Sequence, residues 1–176
     1  MASNKSLLIQ IFAQDTPGLV SAISSCLFEL GLSLGDTTFA VLGTGAEFTV
    51  VVEEPVPVTV GEIDQRLREL PELEGAEIQV EEFEIEPTHS PQAQITHRIV
   101  IRGQDQPGLV ARLTEVFQDY GANIVRLNAE REVDARGSTY VLRIAAWMPE
   151  SRADACIAAV TNTASQLQLF SQWYRA

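Results

Sequence analysis

The sequence has no feature of a membrane or an exported protein. Its apolar residues make up 45% of the chain, but no uninterrupted run reaches the roughly 18–20 residues that a membrane-spanning helix needs. Residues 1–6 form a short polar lead into the first strand pattern, with no apolar signal core behind it. We therefore expect a soluble, cytoplasmic protein without membrane contact.

Cysteine and histidine are scarce, with two of each. Cys26 and Cys156 lie in helical apolar patterns without a Cys-x-x-Cys motif, which predicts buried, reduced thiols. His89 and His97 have no Cys or Ser at useful spacing, and the chain lacks phosphate-loop and hydrolase motifs. The acidic run 81–86 is typical of a solvated edge strand. We expect no enzyme, no cofactor and no metal site.

Basic residues are few, since 12 Lys and Arg stand against 24 Asp and Glu and give a net charge of −12. Such a charge repels phosphate backbones, and no long basic cluster reverses it locally. We expect no direct binding of nucleic acid. Any role in transcription would then require a DNA-binding protein partner.

One motif occurs twice. Asp-Thr-Pro-Gly-Leu-Val at residues 15–20 returns as Asp-Gln-Pro-Gly-Leu-Val at 105–110, an offset of 90 residues. Each copy follows a short apolar strand pattern and opens a helical pattern that stops at a glycine. These glycines, Gly31 and Gly121, are also 90 residues apart. The repeat predicts two structural units of about ninety residues.

Each unit shows the same order of strand and helix patterns. In the first unit the patterns span residues 6–14, 17–30, 34–42, 47–53, 59–70 and 77–86. In the second unit they span residues 94–104, 107–120, 122–133, 138–147, 150–164 and 167–174. Thr59 and Glu62 form a capping-box pattern at the fifth element of the first unit. The polar, proline-containing segment 87–93 reads as a linker between domains 1–86 and 94–176.

The order β-α-β-β-α-β predicts the α+β class. It is typical of the ferredoxin-like arrangement, in which two helices cover one face of a four-stranded antiparallel sheet. The repeated turn places free backbone N–H groups at the start of a helix, with Pro17 or Pro107 expected at the first helical position. Such a turn can hold a small anionic group. The alternative is that the motif is only a helix start, capped by Asp15 and Asp105.

These residues resemble the ACT domain, on the strand, Asp-x-Pro-Gly-Leu-Val, helix and then Gly-x-Asn-Ile at residues 121–124. The chain looks like a tandem pair of such domains, although the first copy has Ser33-Leu34 where the second has Asn123-Ile124. Residues 39–43 and 47–49 also resemble the first half of the glycine-cleavage-system repressor family, which has two ACT domains and no DNA-binding element.

The resemblance implies an amino-acid sensor whose ligand lies at an interface between two such domains. The ligand-binding positions carried over are Asp15, Gly18, Leu19, Ser33, Asp105, Gly108, Leu109 and Asn123. We expect a small amino acid such as glycine as ligand, a protein partner such as a DNA-binding regulator, and a homo-oligomer. Asn123 offers a donor and an acceptor where Ser33 offers one hydroxyl, so the second copy is expected to bind more tightly. A ligand-free structural dimerisation module and a small enzyme are the alternatives.

Overall fold

The computed structural model describes residues 6–53, 58–83, 89–134 and 137–176. The chain divides into two compact units, Met1–Pro87 and Thr88–Ala176. Each unit contains one four-stranded antiparallel sheet and two α-helices in the order β-α-β-β-α-β. The expected α+β, ferredoxin-like fold is therefore confirmed. The predicted linker falls at this division, and its residues 87 and 88 lie outside the described part.

The first unit has the strand order β2-β3-β1-β4. Its elements are β1 (Ser6–Gln14), α1 (Leu19–Glu29), β2 (Ser33–Leu42), β3 (Gly45–Glu53), α2 (Val60–Arg68) and β4 (Glu77–Phe83). A short 3-10 turn, Pro71–Leu73, follows α2. The predicted last strand extended to residue 86, and its positions 84–86 lie outside the described residues.

The second unit has the strand order β6-β7-β5-β8. Its elements are β5 (His97–Gly103), α3 (Leu109–Asp119), β6 (Asn123–Asp134), β7 (Gly137–Trp147), α4 (Ala153–Gln166) and β8 (Phe170–Arg175). Among the residues described, no helix is both long enough and apolar enough to cross a membrane.

The core of the first unit lies between the sheet and its two helices. Ile9 of β1 and Val50 of β3 are fully buried, as are Ile23 of α1 and Ile63 of α2. Alternate residues of β1 therefore face the helices, as a sheet with one covered face requires. Burying one such side chain contributes about 1.5–3 kcal/mol. The second unit repeats this arrangement in a core cluster of its own.

The helices α1 and α3 end at the glycines that the repeat singled out. Gly31 and Gly121 have φ of 77° and 68°, a left-handed conformation that glycine adopts without strain. The N–H of Leu32 donates to the carbonyl of Leu27 at 3.0 Å, which closes a Schellman motif. The predicted helix stops are confirmed.

The starts of these helices differ from the expectation. The helix α1 begins at Leu19, two residues later than predicted, so Pro17 lies in the preceding turn instead of at the first helical position. Gly18 is the N-cap and takes a left-handed φ of 94°. The second unit repeats this turn at Gly108, where φ is 76°. The glycine, which tolerates this conformation, thus sets the point at which the helix starts.

The capping box at the start of α2 is confirmed. The Thr59 hydroxyl accepts a hydrogen bond from the Glu62 backbone N–H at 3.2 Å, and the Glu62 carboxylate accepts one from the Thr59 N–H at 2.8 Å. Two backbone donors that have no partner within the helix are thereby satisfied.

The strand β5 begins at His97 rather than at residue 94. The preceding residues Pro91–Ala93 form a 3-10 turn that belongs to the second unit. Thr96 then receives a hydrogen bond on Oγ1 from the backbone N–H of Met148 at 3.0 Å. Residues 94–96, which the sequence pattern assigned to the strand, therefore precede β5.

The last helix and strand of the second unit are also displaced. A 3-10 turn, Glu150–Arg152, precedes α4, so the α-helix begins three residues later than expected. The helix extends to Gln166, and Gln168 takes a left-handed φ of 59°. β8 therefore starts at Phe170 instead of residue 167.

Both units carry a β-bulge at equivalent positions. The register of β2 against β3 gains one residue between Leu34 and Thr37. The register of β6 against β7 gains one residue between Ile124 and Arg126. The bulges begin 90 residues apart, so the repeat extends to an irregularity of the edge strand.

Candidate functional site

The repeated turn leaves an uncapped helix N-terminus in each unit. No side-chain hydrogen bond caps the helix at Gly18 or Gly108 within the described part of the chain, so a capping role for Asp15 and Asp105 finds no support there. A Cβ atom built on either glycine would meet nothing within 4 Å, which means that the space beside the turn is open. The helix macrodipole and the unsatisfied N–H groups of the first helical turn favour a carboxylate at this position.

The two predicted leucines contribute backbone rather than side chain. Leu19 and Leu109 are buried in the cores of their units. Their N–H groups donate to the carbonyls of Thr16 and Gln106, at 3.3 and 3.2 Å. The donors left for a ligand are therefore those that follow in the first helical turn.

The two turn carboxylates differ in their surroundings. The backbone N–H of Asp15 donates to the Thr44 carbonyl at 3.0 Å. The side-chain carboxylate of Asp15 is exposed and has no cationic partner among the described residues. In the second unit, Nη2 of Arg131 donates to Oδ2 of Asp105 at 2.6 Å. A ligand ammonium would compete with this arginine for Asp105 but would meet Asp15 directly.

The residue after each aspartate is a part of the turn that the sequence analysis missed. Oγ1 of Thr16 is buried and has no hydrogen-bond partner within the described part of the chain. In the second unit, Nε2 of Gln106 donates to the Leu167 carbonyl at 2.8 Å. Buried polar atoms rarely lack a hydrogen-bond partner, which indicates that the Thr16 hydroxyl contacts another molecule. Thr16 occupies the variable position of Asp-x-Pro-Gly, so the motif gave no signal for it in the sequence.

The structure does not bring Asn123 to the turn of its own unit. Asn123 opens β6 just after α3, whereas Gly108 precedes the same helix. Ser33 and Gly18 are related in the same way about α1. Each helix has 11 residues, which corresponds to a length of about 16 Å. One unit alone therefore cannot form a site that uses both ends of this helix.

Asn123 already has a structural contact. Its Nδ2 donates to the backbone carbonyl of Gln92 at 2.9 Å and so fastens the 3-10 turn at Pro91–Ala93 to the second unit. A groove of about 430 Å³ adjoins this contact. Its lining residues are Gln92, Thr114, Phe117, Gln118, Gly121, Ala122, Asn123 and Ile124.

Among the described residues, the buried titratable side chains are one histidine and two cysteines. His97 is buried beside Thr96, whose Oγ1 lies 2.9 Å from Nδ1, and burial lowers the pKa of the imidazole. Cys26 and Cys156 are buried free thiols, as predicted. No group of three or more His, Cys, Asp or Glu that could hold a metal ion occurs among the described residues.

Comparison with known families identifies the class. Two family models, both described as ACT domain, match residues 5–81 and 97–146. Together they cover most of both units, each of which has the expected sheet order and the repeated turn. The chain therefore belongs to the ACT-domain family, as a tandem pair.

Solved structures of similar fold extend over the whole chain. A protein of unknown function from Galdieria sulphuraria is 19% identical with a TM-score of 0.73, and the match covers 99% of both chains. A protein provisionally assigned as a glycine cleavage system transcriptional repressor is 14% identical with a TM-score of 0.69, again covering 99% of both chains. At these identities the likeness concerns the fold. The comparison with curated proteins gives no match.

Proposed function

We propose that this chain is an amino-acid-sensing regulatory protein that acts through a protein partner. The observation that carries the proposal is the first turn, where three features lie within four residues. These are an uncapped helix N-terminus at Gly18, the carboxylate of Asp15 and the buried hydroxyl of Thr16, neither of which has a partner among the residues that the structure describes. A zwitterion needs a site for its carboxylate and one for its ammonium, and the turn offers both.

The ligand is proposed to be a small amino acid such as glycine. Its carboxylate would meet the N–H groups of the first turn of α1, and its ammonium would meet Asp15. The second turn offers the same backbone, but Asp105 is held by Arg131 and Gln106 by Leu167. We therefore propose that the first turn binds more tightly, which reverses the order expected from Asn123 alone.

A thermal-shift screen over the common amino acids tests this proposal. A ligand present at a hundred times its Kd stabilises the protein by about 2.7 kcal/mol. For a domain of this size that corresponds to an upward shift of roughly 10–20 °C. The matched control is Gly18→Val, in which a branched side chain would strain the left-handed backbone and occupy the open space beside the turn. A shift that is unchanged in a folded Gly18→Val protein would place the ligand elsewhere.

A ligand-free structural dimerisation module is the second candidate function. The contacts of Arg131 with Asp105 and of Gln92 with Asn123 favour it, because the two polar side chains expected to bind a ligand in the second unit are already engaged. A screen in which no amino acid moves the unfolding temperature would support this candidate and contradict sensing.

Transcriptional regulation, if present, is proposed to operate through a DNA-binding partner. The charge of −12 gives the isolated chain no counterion-release drive toward DNA. A gel shift with the purified protein should therefore give no retarded band at any salt concentration. A retarded band that weakens as salt rises would contradict this part of the proposal.

A further inference from the structure

Charge is divided very unequally between the two units. The first, residues 1–87, has 3 Lys and Arg against 16 Asp and Glu, a net charge of −13. The second, residues 88–176, has 9 against 8, a net charge of +1, and together they give the −12 of the chain. A surface of the acidic unit and a surface of the weakly basic unit can therefore attract each other electrostatically.

The contrast is sharpest on the sheet faces that carry no helix. On that face of the first unit, called the acidic face, the exposed charged residues include Glu47, Glu77 and Glu81. On that face of the second unit, called the arginine face, the described charged residues are Arg98, Arg102, Arg126, Arg143, Glu130 and Glu132. The two faces are opposite in net charge.

Half of the arginines on the arginine face already have partners there. Arg143 contacts Glu130, and its Nη2 lies 2.9 Å from Oε1 of Glu132. Arg102 donates to the same Glu132 at 3.0 Å. The remaining two, Arg98 and Arg126, have no acidic partner among the described residues, so two cationic groups are left for another molecule.

The unpaired arginines flank a small residue in one row of the sheet. Arg126 and Arg98 both lie opposite Ala145, on either side of the central strand β7. They are separated by two strand spacings, about 10 Å. Ala145 is buried but lies outside the core cluster beneath the helices. The row is thus a pair of positive charges with a small side chain between them.

The acidic face has the complementary row. Glu47 and Glu77 both lie opposite Phe12 in the first sheet, again two strands apart. Phe12 is 46% exposed and borders a depression of about 660 Å³. Arg68, also on this depression, is held by Asp64 at 2.8 Å. A large apolar side chain between two negative charges matches a small one between two positive charges.

We infer that the arginine face of one chain binds the acidic face of a second copy, with Phe12 placed over Ala145. Two-fold symmetry would form this contact twice in a closed dimer. A face four strands wide and seven residues long measures about 19 by 23 Å, or roughly 440 Å². Two such faces per chain give about 880 Å², close to the roughly 800 Å² that each partner buries in a standard interface.

Charge reversal on the full chain tests the inference, with sedimentation velocity as the readout. The wild-type protein should be a dimer whose Kd rises with salt, because screening weakens exposed charge pairs. Arg98→Glu/Arg126→Glu and Glu47→Arg/Glu77→Arg should each raise the Kd at least about 100-fold, because both contacts then juxtapose like charges. The control Arg112→Glu/Arg175→Glu makes the same charge change on other surfaces of the second unit and should leave the dimer intact.

Mixing the two reversed proteins gives the decisive measurement. In a mixed pair one contact is wild type and the other has both charges exchanged, so dimers should reappear although neither protein forms them alone. Contacts within one chain would not be restored by mixing. A monomeric wild type, a dimer that survives either reversal, or a mixture that stays monomeric would overturn the inference.

Single-stranded nucleic acid is the competing occupant of an arginine-bearing sheet. Fluorescence anisotropy with a labelled single-stranded RNA should show no binding by the wild-type protein. Binding that disappears in Arg98→Glu/Arg126→Glu would assign the arginine face to nucleic acid instead and overturn the inference.

Discussion

Arg131 and Asp105 are 26 positions apart in the chain, yet Nη2 of the arginine lies 2.6 Å from Oδ2 of the aspartate. The contact joins the C-terminal end of β6 to the turn before α3. It neutralises the carboxylate that the motif offers to a ligand, while the equivalent Asp15 has no such partner among the described residues. Two turns with the same sequence signature are therefore different sites.

Arg131→Gln should release Asp105 for a ligand ammonium. Exposed ion pairs contribute about 0.2–1 kcal/mol, so affinity at the second turn should rise by up to about fivefold. Calorimetry with the amino acid found in the screen measures this change. Arg175→Gln removes a charge from the same unit, at the end of β8, and should have no effect. Weaker binding in Arg131→Gln would indicate that the arginine itself contacts the ligand.

Thr16→Val should separate folding from binding. Valine has the shape of threonine without the hydroxyl, and a hydroxyl without a partner is costly to bury. The free protein should therefore be as stable as the parent or more stable in urea denaturation. Ligand affinity should fall by about 2- to 12-fold, the equivalent of one hydrogen bond of 0.5–1.5 kcal/mol.

The control for that substitution is Thr38→Val, on an exposed position of β2. It should change neither stability nor affinity appreciably. If Thr16→Val destabilises the free protein, the hydroxyl has a structural partner, and its assignment to the ligand is refuted.

Asn123→Ala removes the contact with Gln92 as well as any contact with a ligand. If Asn123 binds a charged amino acid, affinity should fall by about 10- to 150-fold, since hydrogen bonds to charged groups are worth about 1.5–3 kcal/mol. Asn128→Ala, the same change on an exposed position of β6, is the matched control. Unchanged calorimetry with a folded Asn123→Ala protein would make Asn123 purely structural.

Thr59→Ala should destabilise the first unit by about 1 kcal/mol, because it removes the side-chain cap of α2. Thr59→Ser keeps the hydroxyl and should recover most of that loss. Urea denaturation followed by circular dichroism measures both. Equal stability of the alanine and serine variants would mean that the cap contributes nothing.

The same capping box predicts a pH dependence. The Thr59 backbone N–H, and then its hydroxyl, lower the pKa of Glu62 from its usual value of 4.5. Because the folded pKa is the lower one, the stabilisation is present above the unfolded pKa and is lost as pH falls through the folded pKa. The stability difference between wild type and Glu62→Gln should therefore narrow below about pH 4, whereas Thr59→Ala keeps the backbone N–H and removes only the effect of the hydroxyl. A constant difference down to pH 3 would contradict this.

Cys156 should be almost inert in the native protein. Burial raises the pKa of its thiol to about 11, an effect that Arg152 only partly opposes. At pH 8 about one thiol in a thousand is then ionised, so modification by a thiol reagent should be roughly 200-fold slower than in the unfolded chain. Measurement in a Cys26→Ala background isolates Cys156. Rapid native labelling would show that the site opens locally.

Local signals in the sequence were sufficient for the fold. The glycine stops at Gly31 and Gly121 and the Thr59–Glu62 box each depend on residues a few positions apart, and all three are present. The helix starts were misplaced by two residues because proline chemistry was preferred to the left-handed conformation of Gly18. Local preferences compete at such positions, and the turn geometry decides between them.

The candidate site was less accessible from sequence because its differences arise from distant contacts. Gln92 and Asn123 are 31 positions apart, and Gln106 and Leu167 are 61 apart. No periodicity or motif encodes such pairs. The sequence could therefore place the turn but not reveal which of its groups are already engaged.

The bulge in β6 absorbs one residue that the partner strand does not match. Ile124 and Arg126 pair with the consecutive residues Ala146 and Ala145, so Val125 is the additional residue and the alternation of faces is interrupted there. Deleting Val125 would remove the bulge and leave Arg126 opposite Ala145 and Leu127 opposite Ile144, each on its present face. A single-codon deletion at this position would thus straighten the edge strand without inverting it, whereas a deletion farther along β6 would exchange the polar and apolar sides.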